Sequence, residues 1–137
     1  MFRYQILIEY VGSSFIGWQV QTKGKTIQGL IQKKISNLLN EKIVVTGSGR
    51  TDTGVHAMEQ SAHFDSIKKI QNLNKFFKSI NYFLNKHEIA ILKIKKKNMN
   101  FHARFSAKER TYKYIIFNQS SKPILPVSYT HLTLPTI

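Results

Sequence analysis

"TIQGLIQKKISNLLNEKIVVTGSGRTDTGVHAMEQSAHF", Thr26 to Phe64, changes its hydrophobic period in mid-course. In its first third, Ile27, Leu30, Ile31, Ile35, Leu38 and Leu39 recur at helical spacing. Lys33 and Lys34 fall on the wet face, and Thr26 is placed to cap the first turn. "KIVVTGS" is then β-branched and short, a strand running into a glycine-punctuated turn. Val55 to Phe64 resumes as a strand that can pair with it across Arg50–Gly54. The flanks extend this helix-and-hairpin unit on both sides. Tyr4 to Tyr10 alternates, with Tyr4, Ile6, Ile8 and Tyr10 on one face. A second helix is predicted from Asn74 to Asn85, where Leu73, Phe76, Phe77, Ile80, Phe83 and Leu84 form an apolar stripe of the kind that buries a helix on a sheet. "EIAILKIKKK" and "ERTYKYIIFN" read as two further strands. The order β-α-β-β-α-β-β predicts an α+β domain: a ferredoxin-like antiparallel sheet with two helices on one face and functional loops on the other.

At 137 residues the chain suggests one domain, and 42% hydrophobic content is too apolar for a disordered one. It has no cysteine, which excludes disulfides and thiolate metal sites and fits a cytoplasmic setting. No apolar run reaches the length of a bilayer span, so no membrane partner is expected. "MFRYQILIEYVG" alternates and carries Glu9, the pattern of a strand and not of a signal peptide. The net charge of +14 attracts polyanions, nucleic acid first among them, although a Lys-, Ile- and Asn-rich composition also follows from AT-rich codons. The cluster Lys93, Lys95, Lys96 and Lys97 reads equally as a phosphate track or as a solvated strand end. The domain is expected over 1–122. Residues 123–137, with scattered prolines and no sustained period, are expected to be an irregular tail.

The turn Gly47–His56 carries Asp52, one of only 7 acidic residues. It is a poor phosphate loop: Gly49 and Gly54 have the spacing, but Val55 stands where lysine is needed, and a carboxylate in the middle would repel phosphate. The dinucleotide pattern G-x-G-x-x-G is absent. His56, His63 and His102 have no common offset that aims them at a metal, so a hydrogen-bonded structural role is expected for His56, a packing role for His63, and no metal site is predicted. Arg50, two residues from Asp52, can lower the cost of holding its charge in a partly dry cleft. A turn aspartate satisfying its own backbone is the bland alternative.

"GSGRTDTGVHA" resembles the G-x-G-R-T-D-x-G-V-H-A motif of the bacterial tRNA pseudouridine synthase A family. "IEYVGSSFIGWQ", "TIQGLIQKKI" and "FHARFSAKERTYKYIIFN" are similar to three further family segments, in order and spacing, over about residues 3 to 118. The resemblance implies a homodimeric, cofactor-free and metal-free enzyme that converts uridine to pseudouridine at positions 38–40 of the tRNA anticodon stem-loop. It implies that Asp52 is catalytic, that Arg50 accompanies it, and that Tyr112, first of the Y-x-Y pair, contacts the target base. Arg104, Lys108, Arg110 and Lys113 are expected along the RNA path. The family has a second half of comparable size, and "VSYTHLTLPTI" looks like foreign sequence joined to a truncated gene. "NYFLNKHEIA" departs from the family's N-x-N-L-P-x-D-I pattern around Asn81. An inactive basic RNA-binding fragment is therefore the alternative reading, and a small structural RNA binder a third.

Overall fold

The computed structural model describes residues 1–114 and 131–136, with side chains as far as residue 108. Its elements are β1 (Phe2–Tyr10), α1 (Ile27–Leu39), β2 (Val45–Gly47), β3 (His56–Ser66), α2 (Leu73–Leu84), β4 (Ile89–Lys97), β5 (Glu109–Tyr114) and β6 (His131–Thr136). Strands β4, β1, β3 and β2 lie side by side in that order, each antiparallel to its neighbour. That order and the two helices are the predicted α+β architecture.

The register sorts the side chains onto two faces. Tyr4 is opposite Phe64, Ile6 opposite Ala62 and Ile8 opposite Gln60. These residues and Tyr10 are buried against Ile27, Ile31 and Ile35 of α1 and Phe76, Ile80 and Leu84 of α2. The helices begin where side chains replace missing backbone partners. Thr26 Oγ1 accepts from the Gly29 N–H at 3.1 Å, and Asn72 Oδ1 accepts from the Lys75 N–H at 3.0 Å. α1 ends at Asn40, whose φ of 53° is the left-handed stop that asparagine tolerates. Asn81 fixes α2 to the sheet. Its amide donates to the Ile91 carbonyl at 2.9 Å and accepts from the Ile91 N–H at 2.7 Å, beside a bulge where the β1–β4 register slips. A bulge leaves backbone groups without ladder partners, and this carboxamide supplies one of each kind.

Two strands extend the sheet. β6 runs parallel to the start of β3, pairing Leu132 with His56 and Thr133 with Ala57, and β5 pairs antiparallel with β6. His131–Thr136 is thus a strand where the sequence pattern predicts an irregular tail. Only Leu132 and Leu134 carry the alternation there, too few for a period. The edge of β3 supplies the rest, because β2 covers only Ala62–Phe64 of it. Residues 123–130 of the predicted tail lie outside the described residues.

Candidate active site

The turn that carries Asp52 is fixed by its backbone and neighbours, while its tip is left to solvent. Before it, the Ser48 N–H donates to the Ser61 carbonyl at 2.8 Å, and buried Gln60 donates from Nε2 to the Gly49 carbonyl at 2.5 Å. Thr51 is buried. Its carbonyl accepts from the Trp18 N–H at 3.0 Å, and its hydroxyl shares a hydrogen bond with the Tyr10 hydroxyl at 2.8 Å. After it, the Val55 N–H donates back to the Asp52 carbonyl at 3.1 Å, closing a four-residue turn, with Gly54 at φ +79° where a type II turn needs a positive angle. His56 Nδ1 accepts from the Gly12 N–H at 2.8 Å, the hydrogen-bonded structural role predicted for it.

The loop between β1 and α1 presses against this turn closely enough to require glycine. At Gly17, with φ +108°, a Cβ would lie 2.6 Å from the Thr51 carbonyl oxygen. At Gly47 a Cβ would come within 2.8 Å of the Trp18 indole, which is buried and stacked on Tyr10. Against that clamped frame, the side chains of Arg50, Asp52 and Thr53 are exposed.

Beside the turn opens a cleft of about 650 Å³, lined by Trp18, Gln28, Gly47, Gly49, Arg50 and Arg104 among others. Arg104 reaches it on the segment 98–108, which crosses the sheet face opposite the helices. Arg3 holds the start of that segment, donating from Nη1 to the carbonyls of Met99 at 3.0 Å and Phe101 at 2.5 Å. Its other nitrogens grip Asp65 in two parallel hydrogen bonds of 2.8 and 2.9 Å, and this guanidinium holds the Asp65 carboxyl below its usual range. The middle of the segment hangs on His63, whose Nδ1 accepts from the Ala103 N–H at 3.0 Å. The turn closes on itself where His102 Nδ1 accepts from the N–H groups of Arg104 and Phe105, both at 3.2 Å. Both imidazoles must be neutral at Nδ1 to accept. Burial, with the charges of Arg3 and His102, pushes the His63 pKa down to about 4; burial and the nearby arginines Arg3 and Arg104 lower that of His102. The two rings sit 4.7 Å apart, so the fold joins histidines far apart in sequence, as acceptors for backbone. Among the described residues no three His, Cys, Asp or Glu side chains converge as metal ligands.

A family profile described as tRNA pseudouridine synthase matches residues 6–106, from β1 through the Asp52 turn to the Arg104 segment. The chain belongs to the tRNA pseudouridine synthase family. It is 65% identical over 125 residues to a tRNA pseudouridine synthase A of Pelagibacter ubique (strain HTCC1062), covering 91% of this chain and 51% of that protein. It is 46% identical over 120 residues to that of Ehrlichia ruminantium (strain Welgevonden), covering 87% and 48%. With that of Caldicellulosiruptor bescii the identity is 42% over 126 residues, covering 92% and 51%. The chain spans about half the length of the curated relatives it matches.

The structure brings Arg50 and Arg104 to one cleft, although they stand 54 positions apart in sequence. Asp52 is exposed beside that cleft and is not part of its lining. Arg50 and Asp52 are both exposed, and among the described residues the ion pair is Arg3–Asp65, not one between them. Two exposed side chains gain little from pairing when water solvates both. Lys108 is exposed at the end of the crossing segment. Arg110, Tyr112 and Lys113 lie on β5, whose backbone is described and whose side chains are outside the described part. Its register sets Tyr112 opposite Thr133, which is opposite Ala57, two strands away or about 10 Å at ordinary strand spacing. Lys93, Lys95 and Lys97 pair with Leu7, Gln5 and Arg3, and so share the face that the segment crosses. Sequence reasoning missed Arg3 and His63 as the supports of that segment. Their one signal was position: polar residues facing away from the apolar alternation of β1 and β3.

Proposed function

We propose that this chain carries the catalytic turn of a tRNA pseudouridine synthase acting on uridine at positions 38–40 of the anticodon stem-loop. The reaction breaks the N1–C1′ bond, turns the uracil and joins C5 to C1′. C5 loses a proton and N1 gains one, so atoms and electrons balance without a cofactor. The target base must first leave the stack. Glycosidic cleavage develops positive charge at the sugar, and a carboxylate beside C1′ stabilises it or bonds to it. Asp52 is the group in this role, as nucleophile at C1′ or as base at C2′. Arg50 occupies the gap left by the base. Tyr112 offers a ring for the uracil and a phenol for proton removal from C5. Arg104, Lys108, Arg110 and Lys113 follow the RNA backbone. The complete enzyme acts as a homodimer in the cytoplasm.

The observation that supports this most is an exposed carboxylate on a turn whose backbone is pinned from both sides. Fixing the group in advance avoids reorganisation when charge develops. The test uses a protein in which this chain is continued to the length of its relatives. Asp52→Ala should lower pseudouridine formation by at least about 10⁴-fold, as loss of a nucleophile does elsewhere, while tRNA affinity stays within about threefold of the parent. Undiminished turnover overturns the assignment. A tRNA without uridine at 38–40 should yield no product; equal product from it overturns the positional reading. The net charge of +14 supports a second reading, a basic RNA-binding piece without turnover, which predicts salt-sensitive binding and no pseudouridine from the parent protein.

A further inference from the structure

The most exposed large apolar side chain among the described residues is Phe105, at 78% of full exposure. It does not stand on a floppy loop. His102 and Ser106 close the turn around it: the Ser106 N–H donates to the His102 carbonyl at 2.7 Å, and the His102 N–H donates to Ser106 Oγ at 2.9 Å. The Phe105 N–H itself donates to His102 Nδ1. The imidazole then backs the phenyl ring, with centroids 4.3 Å apart and planes tilted by 28°. Behind that imidazole stands His63, edge to face at 4.7 Å, buried in the sheet. A buried histidine, a half-buried one and an exposed phenylalanine thus form a column of rings rising from the sheet into solvent.

An isolated exposed apolar side chain is ordinary on a protein surface, but this one is held in a fixed direction by the ring behind it and by the closed turn that carries it. The surroundings say what kind of group suits it. The guanidinium of Arg104 lies 5.7 Å from the ring centre and also lines the cleft beside the Asp52 turn. Arg50 shares that cleft, and Lys108 is exposed three residues on. A flat apolar surface with a guanidinium beside it suits a planar group attached to an anionic chain. We propose that Phe105, backed by His102, is a stacking platform for an unpaired nucleobase of the RNA substrate, next to the uridine that reacts. Arg104 then meets the phosphate joining the two nucleotides. This rests on the tRNA-modifying reading of the chain and adds to it a residue that holds the loop open by occupying a neighbouring base.

The experiment compares the chain with Phe105→Ala, Phe105→Leu and Phe105→Trp. Affinity is measured by fluorescence anisotropy for a labelled single-stranded oligouridylate and for an RNA duplex of equal length. Stacking predicts that Ala and Leu lose about 10-fold on the single strand, as removal of a stacking aromatic does in other single-strand binders. Trp should stay within about twofold of the parent, since its ring stacks at least as well. Duplex affinity should change by less than about twofold in all three, because its bases are not available to stack. Equal single-strand affinity for Ala and the parent overturns the proposal. So does an equal loss on the duplex, or a Leu variant that matches the parent. A change in oligomeric state of Phe105→Ala by sedimentation with RNA affinity unchanged also overturns it and makes the ring a protein contact. Duplex affinity unchanged in the Ala and Leu variants themselves excludes misfolding as the cause of a single-strand loss. The enzyme reading fails separately: a platform that stacks RNA in a protein that never makes pseudouridine leaves this proposal standing and removes that one.

Discussion

The two faces of the sheet are held by different forces. On the helix side, Tyr4, Ile6, Ile8, Tyr10 and Phe64 are buried against Ile31, Ile35, Phe76 and Ile80, and removal of apolar surface from water does the work. On the opposite side, the segment 98–108 is fastened by named hydrogen bonds to Arg3 and His63. The first kind of contact is non-directional and tolerates small shifts. The second is directional and fixes where a chain runs. The face held by directional contacts is the one that delivers Arg104 to the cleft and presents Phe105. The division makes physical sense, since a site needs placed groups more than it needs adhesion.

Removing an apolar contact from the helix face should therefore have the largest effect on stability. Phe64 is fully buried and stacks on Tyr4 at 5.5 Å, with Phe76 at 6.3 Å. Phe64→Ala is expected to cost about 3–5 kcal/mol, enough to unfold much of a marginal domain. Denaturant unfolding measures it, and a loss below about 1 kcal/mol would show that the face is not the main source of stability.

The open face breaks differently, by acid. The folded chain keeps His63 neutral down to a pKa of about 4, whereas the unfolded chain takes up that proton near the ordinary value of 6.5. Between those values the unfolded state binds more protons, so stability falls as pH drops from about 6.5 to about 4 and is fully present above that window. The contribution is on the order of 3 kcal/mol. His102, lowered by burial and two arginines, adds in the same direction. Denaturant midpoints taken across this range should fall in the parent and flatten in His63→Gln, whose carbonyl still offers an acceptor to Ala103. A parent curve as flat as the variant's would remove His63 from the account.

This contrast explains what could be read from the sequence. The helix face was legible because burial leaves a period: Ile27, Ile31 and Ile35 at one spacing, Tyr4, Ile6 and Ile8 at another, and the observed α1, α2 and strand order follow it. Hydrogen bonds from a loop leave no period. Nothing in "NMNFHARFSAK" says that Ala103 will meet His63 or that Arg104 will sit beside Arg50. The Asp52 turn was legible only as a motif, through glycines whose need appears in the fold: Gly47 leaves room for the Trp18 indole and Gly17 for the Thr51 carbonyl. Arg50 and Asp52 stand two residues apart on an exposed turn without an ion pair between them, since proximity in sequence does not set direction there. β6 escaped notice because strand pairing depends on an available partner edge as much as on the strand itself.

Arg3 sharpens the comparison at lower cost. It is half-buried and satisfies Asp65 and two backbone carbonyls at once. Arg3→Met keeps most of the apolar stem and deletes every hydrogen bond. A loss of about 1–3 kcal/mol is expected, together with faster amide exchange in residues 99–106 relative to α1 and α2. Uniform acceleration across the molecule would mean that the segment is not anchored locally.

The smallest effect on stability should come from the lysines of β4. Lys95 lies across from Gln5 on the open face and is exposed. As a solvated strand end it would matter to neither folding nor binding; as a phosphate contact it would matter to binding alone. Lys95→Gln should leave unfolding free energy within about 0.5 kcal/mol of the parent, as surface substitutions usually do. If RNA crosses this face, the slope of log affinity against log salt should become shallower by about 1, the signature of one lost phosphate contact. An unchanged slope assigns Lys95 to the solvated edge, where lysine guards an exposed strand against pairing with another chain, and confines the RNA path to the Arg50–Arg104 side of the sheet.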